Sequence, residues 1–218
     1  CEISGFTGAG TGTGSKINPD RIEFCVIHDN TGDGIQVNGF RQLGPVENNI
    51  IYSNGGKGIY IAGSATVESF YNNTIHSNTS DGIYVDGGSD TQVTISNNVI
   101  TSNGGYGINI ANAPSGTTVV FTDKNFFYSN TSGEINNTAR TFPLMSNVTL
   151  TGTPYTSAGT GDYSLNNTAG AGAAVRSAAA YNAFPTGTTT SYFDGGAVQK
   201  NSSGGTTATV MTISVGGL

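Results

Sequence analysis

Three charged residues stand at one position of a recurring motif: Asp33, Lys57 and Asp81, each 24 residues from the next. Acid, base and acid in one column are the groups that break a glycosidic bond. Hydrolysis needs two carboxyl groups flanking the bond, and elimination needs a base beside the departing proton. The column continues as Tyr106. The plainer reading is a solvated turn face whose opposite charges compensate. Two other columns carry side chains suited to sugars. One runs His28, Tyr52, His76, Thr101 and Tyr128; the other runs Gln36, Tyr60, Tyr84, Asn109 and Asn136. Aromatic rings offer apolar faces, and amides offer donors and acceptors together. His28, Tyr52, His76, Tyr128, Tyr60 and Tyr84 are therefore the candidate ligand-binding residues, against the plainer reading of β-propensity and cross-strand stacking.

Metal chemistry has a weaker basis. Asp81, Asp86 and Asp90 lie close in SDGIYVDGGSD and could offer oxygens to Ca²⁺. The stretch lacks the Gly-Gly-x-Gly-x-Asp spacing of Ca²⁺-binding β-rolls and reads equally as a polar turn. His28 and His76 are two repeats apart, about 10 Å at strand spacing, too far to share one ion. No metal site is assigned, and Ca²⁺ is the one cofactor kept in view.

The elements that must hold these columns repeat. CVIHDNTGDGIQV from Cys25, NIIYSNGGKGIYI from Asn49, NTIHSNTSDGIYV from Asn73 and NVITSNGGYGINI from Asn98 align, and NFFYSNTSGEINN from Asn125 is a degraded copy. Ile27, Ile51, Ile75, Ile100 and Phe127 form one apolar column; Ile35, Ile59, Ile83, Ile108 and Ile135 form a second. An Asn column lies between them: Asn30, Asn54, Asn78, Asn103 and Asn130. Each unit has short β-like runs and no helical stripe. Asn and Gly separate the runs, residues that supply turns and positive φ. A unit of about 24 residues built this way is one coil of a parallel β-solenoid, with Ile columns inward and the His/Tyr and Tyr/Gln columns outward. The Asn column would hydrogen-bond amide to amide along the stack.

On these NNxIxxN…GIxV units, across about Cys1–Asn137, the chain resembles the right-handed parallel β-helix superfamily, the pectate-lyase-like fold. The resemblance implies an all-β solenoid. It spans lyases, hydrolases, phage tailspikes, adhesins and structural proteins, so it does not fix an activity. The hydrolase pattern of that superfamily, with Gly-His-Gly, Arg-x-Lys and an Asp-Asp pair, is missing here. The string GDYSLNNTAGAGAAVR…YFDGGAVQ resembles the C-terminal ends of uncharacterised β-helix proteins from bacteria and phages, where it closes the helix.

The expected organisation is residues 1–140 as coils, about six in all, and 141–218 as a last coil, irregular cap and closing strands. Phe142, Leu144 and Val148 would form the last coil, Ala171–Tyr181 a short capping helix, and Asp194–Gln199 and Thr206–Val215 closing strands over the open end. Cys1 and Cys25 share the column that later holds Asn49, Asn73 and Asn98, as either a disulfide or two stacked thiols. Seven N-x-[ST] matches, at Asn72, Asn78, Asn130, Asn136, Asn147, Asn166 and Asn201, follow from an Asn/Ser/Thr-rich composition.

Composition excludes several classes. With 8 Lys+Arg against 14 Asp+Glu, the chain lacks the basic footprint of a nucleic-acid binder. No apolar run approaches the length of a membrane span. The expectation is a non-enzymatic structural or surface-recognition module of a virion or bacterial cell surface, extracellular, partnered by a glycan or by other subunits of an assembly. A homo-oligomer, or more chain upstream, would cover the first coil. The rival is a polysaccharide lyase or glycoside hydrolase of the tailspike type, with Asp33, Lys57 and Asp81 as its site.

Overall fold

The computed structural model describes residues 1–7, 11–12, 21–38, 44–63, 68–87, 92–112, 119–137, 144–176, 178 and 195–198. The repeat becomes three parallel sheets wound around one core. Sheet A has seven strands: Glu2–Ser4, Val26–His28, Ile50–Tyr52, Thr74–His76, Val99–Thr101, Phe126–Tyr128 and Val148–Thr149. Sheet B has six: Thr11–Gly12, Ile35–Asn38, Ile59–Gly63, Ile83–Gly87, Tyr106–Asn112 and Gly133–Asn136. Sheet C also has six: Ile22–Glu23, Val46–Glu47, Glu68–Tyr71, Gln92–Ser96, Val119–Asp123 and Leu144–Met145.

Pairing is column to column. Ile27 lies beside Ile51, Ile51 beside Ile75, Ile75 beside Ile100, and Ile100 beside Phe127. These five side chains have no exposed surface, nor do Ile59, Ile83 and Ile108 of sheet B. Each such burial contributes about 1.5–3 kcal/mol, and β-branched side chains suit the pleated surface.

Two turns recur along the coils, and each ends in an asparagine except where Cys25 takes that position. Between sheets A and B the column is Asn30, Asn54, Asn78, Asn103 and Asn130, as the repeat predicts. Between sheets C and A a second ladder runs Asn49, Asn73, Asn98, Asn125 and Asn147. Asn78 shows the logic. Its Nδ2 donates to Asn103 Oδ1 at 3.0 Å and to the Ile51 carbonyl at 3.3 Å. Its Oδ1 accepts from Asn54 Nδ2 at 2.9 Å and Asn54 N at 3.1 Å. Two donors and two lone pairs are all used, so a buried amide carries no orphaned group.

The residue before each ladder asparagine is left-handed: Asp29, Ser53, Ser77, Ser102 and Ser129 in one turn; Asn48, Asn72, Asn97, Lys124 and Ser146 in the other, with Phe24 before Cys25 at the same position of an earlier coil. Glycine was expected to supply positive φ, but the glycine column Gly34, Gly58, Gly82 and Gly107 has another cause. A Cβ on Gly82 would lie 2.7 Å from the Gly107 carbonyl oxygen and 2.5 Å from Ile100 Cγ2. Coil stacking leaves no room there for a side chain.

Cys1 and Cys25 form a disulfide, which settles the alternatives the sequence left open. The Cys25 backbone N–H donates to Asn49 Oδ1 at 3.0 Å, so the covalent link continues the second ladder into the first coil.

After the fifth repeat, Leu144–Met145 pairs with sheet C and Val148–Thr149 with sheet A, while Phe142, expected in the same coil, lies outside the described residues. The described part of the segment after this coil packs on the outside of the coils. An antiparallel hairpin, Tyr155–Ser157 and Asp162–Leu165, lies against the outer face of sheet A with the four-residue helix Gly172–Val175. Tyr155, Tyr163, Leu165 and Val175 pack there with Val99 and Phe126 in a second apolar core. Of the capping helix expected over Ala171–Tyr181, Gly172–Val175 are helical, and residues 177 and 179–181 lie outside the described residues, as do Asp194 and Gln199 of the first expected closing strand; Gly195–Ala197 bend back onto the same sheet, where Gly196 N donates to the Asn97 carbonyl and Ala197 N to Thr74 Oγ1. Thr206–Val215 lie outside the described residues.

Replacing Asn78 by Asp removes both side-chain donors and sets a carboxylate against two acceptors. Chemical denaturation should show a loss of about 3 kcal/mol or more for Asn78→Asp, and a comparable loss for Asn78→Ala, from orphaned buried groups. Thr79→Ala, on an exposed neighbour, should stay within about 0.5 kcal/mol. Equal effects for all three would refute the role given to the ladder.

Candidate functional site

The outer face of sheet B gathers one of the two sugar-type columns. Lys57 lies in the turn entering the strand Ile59–Gly63, and its ammonium sits 4.5 Å from the Tyr60 ring centroid and 4.8 Å from that of Tyr84. The two rings meet edge to face, 5.4 Å apart. Among the described residues Lys57 has no salt bridge, and its ammonium is shared by two rings. The Tyr60 hydroxyl donates to Asp86 Oδ2 at 3.4 Å. Burial first, then the nearby Asp86 charge, raises both phenols above the usual tyrosine value, so they remain hydroxyl donors at neutral pH. Asn136 Nδ2 donates to Asn109 Oδ1 at 2.9 Å, continuing the polar column.

The carboxylates of the charged column serve the backbone. Asp33 Oδ1 accepts the Lys57 N–H at 2.7 Å. Asp81 Oδ1 accepts the Tyr106 N–H at 2.6 Å, and Asp81 Oδ2 accepts from Asn109 Nδ2 at 3.1 Å. Asp81 was expected to face outward; it is only 6% exposed. Each Asp spans to the next coil's turn. Asp33 and Lys57 keep partial exposure, but the Asp33 carboxylate is turned to the backbone and the Lys57 ammonium to the tyrosines. Of the proposed Ca²⁺ set, Asp81 is engaged as above and Asp90 lies outside the described residues. Among the described residues no group of three or more His, Cys, Asp or Glu is placed to hold a metal.

The other column has a different fate. His28 stacks flat on Tyr52 at 4.7 Å, and its ring nitrogens face Asp29 and Glu2. From there the C-terminal hairpin takes over. Tyr163 lies 5.3 Å from Tyr52 and 5.6 Å from His76, and Tyr155 lies 5.4 Å from His76. Tyr52, His76 and Tyr128, expected as an open contact face, thus contribute to an internal interface. The sequence held the signal. Ile50-Ile51-Tyr52, Val99-Ile100 and Phe126-Phe127-Tyr128 lack apolar/polar alternation, which marks a strand covered on both faces. Tyr155 and Tyr163, in a Gly/Ser/Thr-rich stretch, gave none.

Burial holds the His76 imidazole below its usual value, against a hydrogen bond to Thr101 that works the other way. The sign follows. A folded value below the unfolded one contributes stability that is complete above the unfolded value, near pH 6.5, and is lost as pH falls through the folded value. The melting temperature should therefore fall between pH 7 and pH 5. His76→Phe should flatten that part of the profile. An unchanged slope in the variant would show that His76 is not the group responsible.

Residues 1–123 and 67–169 match the family model described as a right-handed β-helix region. No curated protein matches the chain in sequence. Among solved structures, the A-module of the mannuronan C-5 epimerase AlgE4 from Azotobacter vinelandii is similar at 16% identity, with a TM-score of 0.47. That match covers 68% of this chain and 51% of the epimerase chain. With the parallel coils, the inward isoleucine columns and the matched residues together spanning most of its length, the chain belongs to the right-handed β-helix family.

Proposed function

We propose that this β-helix is a surface-recognition module that binds a polysaccharide along the outer face of sheet B, as part of a virion or bacterial cell-surface assembly. One observation carries the reading: Lys57 bridges the rings of Tyr60 and Tyr84 on a rigid strand face where both tyrosines keep partial exposure. A sugar ring can lie on such a platform with its hydroxyls directed to Lys57, Asp86 and the Asn109–Asn136 amides. The platform stands on strands paired within a six-stranded sheet, so little ordering entropy should oppose association. Recognition without turnover is favoured because the Asp33 and Asp81 carboxylates are committed to backbone N–H groups of the next coil. The Cys1–Cys25 disulfide supports an oxidising, extracellular setting.

The test is affinity electrophoresis of the folded chain through acidic and neutral polysaccharides, with and without Ca²⁺. At least one polymer should retard the protein. Tyr84→Ala and Lys57→Ala should each weaken that retardation about tenfold, the 1.4 kcal/mol scale of a contact residue at a binding centre. Thr160→Ala, on the hairpin, should leave it unchanged. Retardation indifferent to Tyr84 and Lys57, or none with any polymer, would overturn the reading. Release of reducing ends or unsaturated products would replace it with the lyase or hydrolase alternative.

A further inference from the structure

The hairpin does more than cover sheet A. Where its Ala158–Thr160 turn arches over the sheet, a cavity of about 470 Å³ remains, lined by Tyr52, Ser53, His76, Ser77, Thr160 and Tyr163 among others. From its lining residues Ser77 and His76 a chain of hydrogen bonds runs back to the buried Thr101 and Tyr155. Thr101 donates its hydroxyl to the Tyr155 oxygen at 3.1 Å. The Thr101 oxygen also lies 2.9 Å from His76 Nδ1. In the tautomer that donates from Nδ1 to Thr101, Nε2 presents its lone pair. Nε2 faces the Ser77 hydroxyl at 2.9 Å. Ser77 is exposed, while Thr101 and Tyr155 behind the ring are buried.

A hydroxyl hydrogen-bonded to an imidazole, with the far nitrogen fixed by a third group, is the arrangement that activates a serine. Tyr155 and Tyr163 pack edgewise on the His76 ring and lock its orientation. The same burial keeps the imidazole unprotonated at neutral pH, the form a general base needs. Other histidine contacts in the chain lack this pattern, since His28 faces Glu2 and Asp29 rather than a hydroxyl.

We infer that the Ser77–His76 pair in the cavity under the hairpin is a nucleophilic site for small carboxylic esters. It is separate from the sheet B face and does not depend on glycan binding there. In the first step the Ser77 O–H proton passes to His76 Nε2 as Oγ bonds to the acyl carbon. The carbonyl electron pair moves to oxygen and returns, and the C–O bond to the leaving alcohol breaks. The departing oxygen takes the proton from Nε2. Water then repeats the sequence on the acyl-serine, with its proton passing through Nε2 to Ser77 Oγ. The products are a carboxylic acid and the regenerated serine.

The experiment uses the full chain, a fluorophosphonate probe and p-nitrophenyl acetate. Peptide mapping should place the phosphonyl group on Ser77. Ester turnover should fall at least about tenfold in Ser77→Ala, whose exposed side chain leaves the fold intact, while Ser132→Ala, on an exposed residue outside the cavity, stays at the parent rate. The rate should depend on one group that must be deprotonated, with a midpoint below the ordinary imidazole value. His76→Gln should abolish both labelling and turnover, and circular dichroism with the melting temperature reports whether it is folded. Probe distributed over several serines, or a Ser77→Ala rate equal to the parent's, would overturn the inference.

Discussion

The structure depends on an amide that uses every hydrogen-bonding site it has. A coil of about 24 residues must turn sharply, and a sharp turn buries backbone N–H and C=O groups that no strand can satisfy. Asparagine answers this twice per coil. Its Oδ1 takes the N–H and Nδ2–H of the asparagine one coil away, and its Nδ2 reaches a carbonyl and the next amide. Aspartate has no donor to offer, and glutamine is a methylene longer. Each rung places the next coil at one height and one rotation, so an outward residue in one coil lies directly beside its equivalent in the next.

That stacking turns sequence columns into surfaces, and the two outward aromatic surfaces part company. On sheet A, apolar residues flank the His/Tyr column on its outer side, and the chain folds its own C-terminal hairpin over them. Tyr155 and Tyr163 are 3% and 4% exposed there. On sheet B, the column is flanked by turns carrying Asp33, Lys57 and Asp81, and the tyrosines gather a cation instead. One surface became a second core with a small polar cavity; the other remained a platform.

Much of this was legible in the residues. The period, the parallel coils, the inward isoleucines and the first ladder all follow from columns that an eye can align, because a solenoid repeats its environment with its sequence. The second ladder was visible only as the column that Cys1 and Cys25 interrupt, and its bonding was not read from it. What escaped has a physical reason. Whether a turn carboxylate faces solvent or a neighbouring N–H depends on the height of the next coil, and Asp81 lies on the buried side of that choice. The fate of the His/Tyr column depends on Tyr155 and Tyr163, which stand outside any repeat. The Ser77–His76–Thr101–Tyr155 chain crosses two coils and the hairpin, so no linear motif announces it.

The division between a sealed and an open aromatic surface is the claim on which the functional reading rests. Hydroxyl-radical footprinting of the folded chain, with oxidation measured peptide by peptide, tests it directly. Tyr60 and Tyr84 should be oxidised readily, while Tyr155 and Tyr163 should be protected until the protein unfolds. Rapid oxidation of Tyr155 and Tyr163 alongside protection of Tyr60 and Tyr84 would contradict the account, since the open recognition surface would then be sheet A.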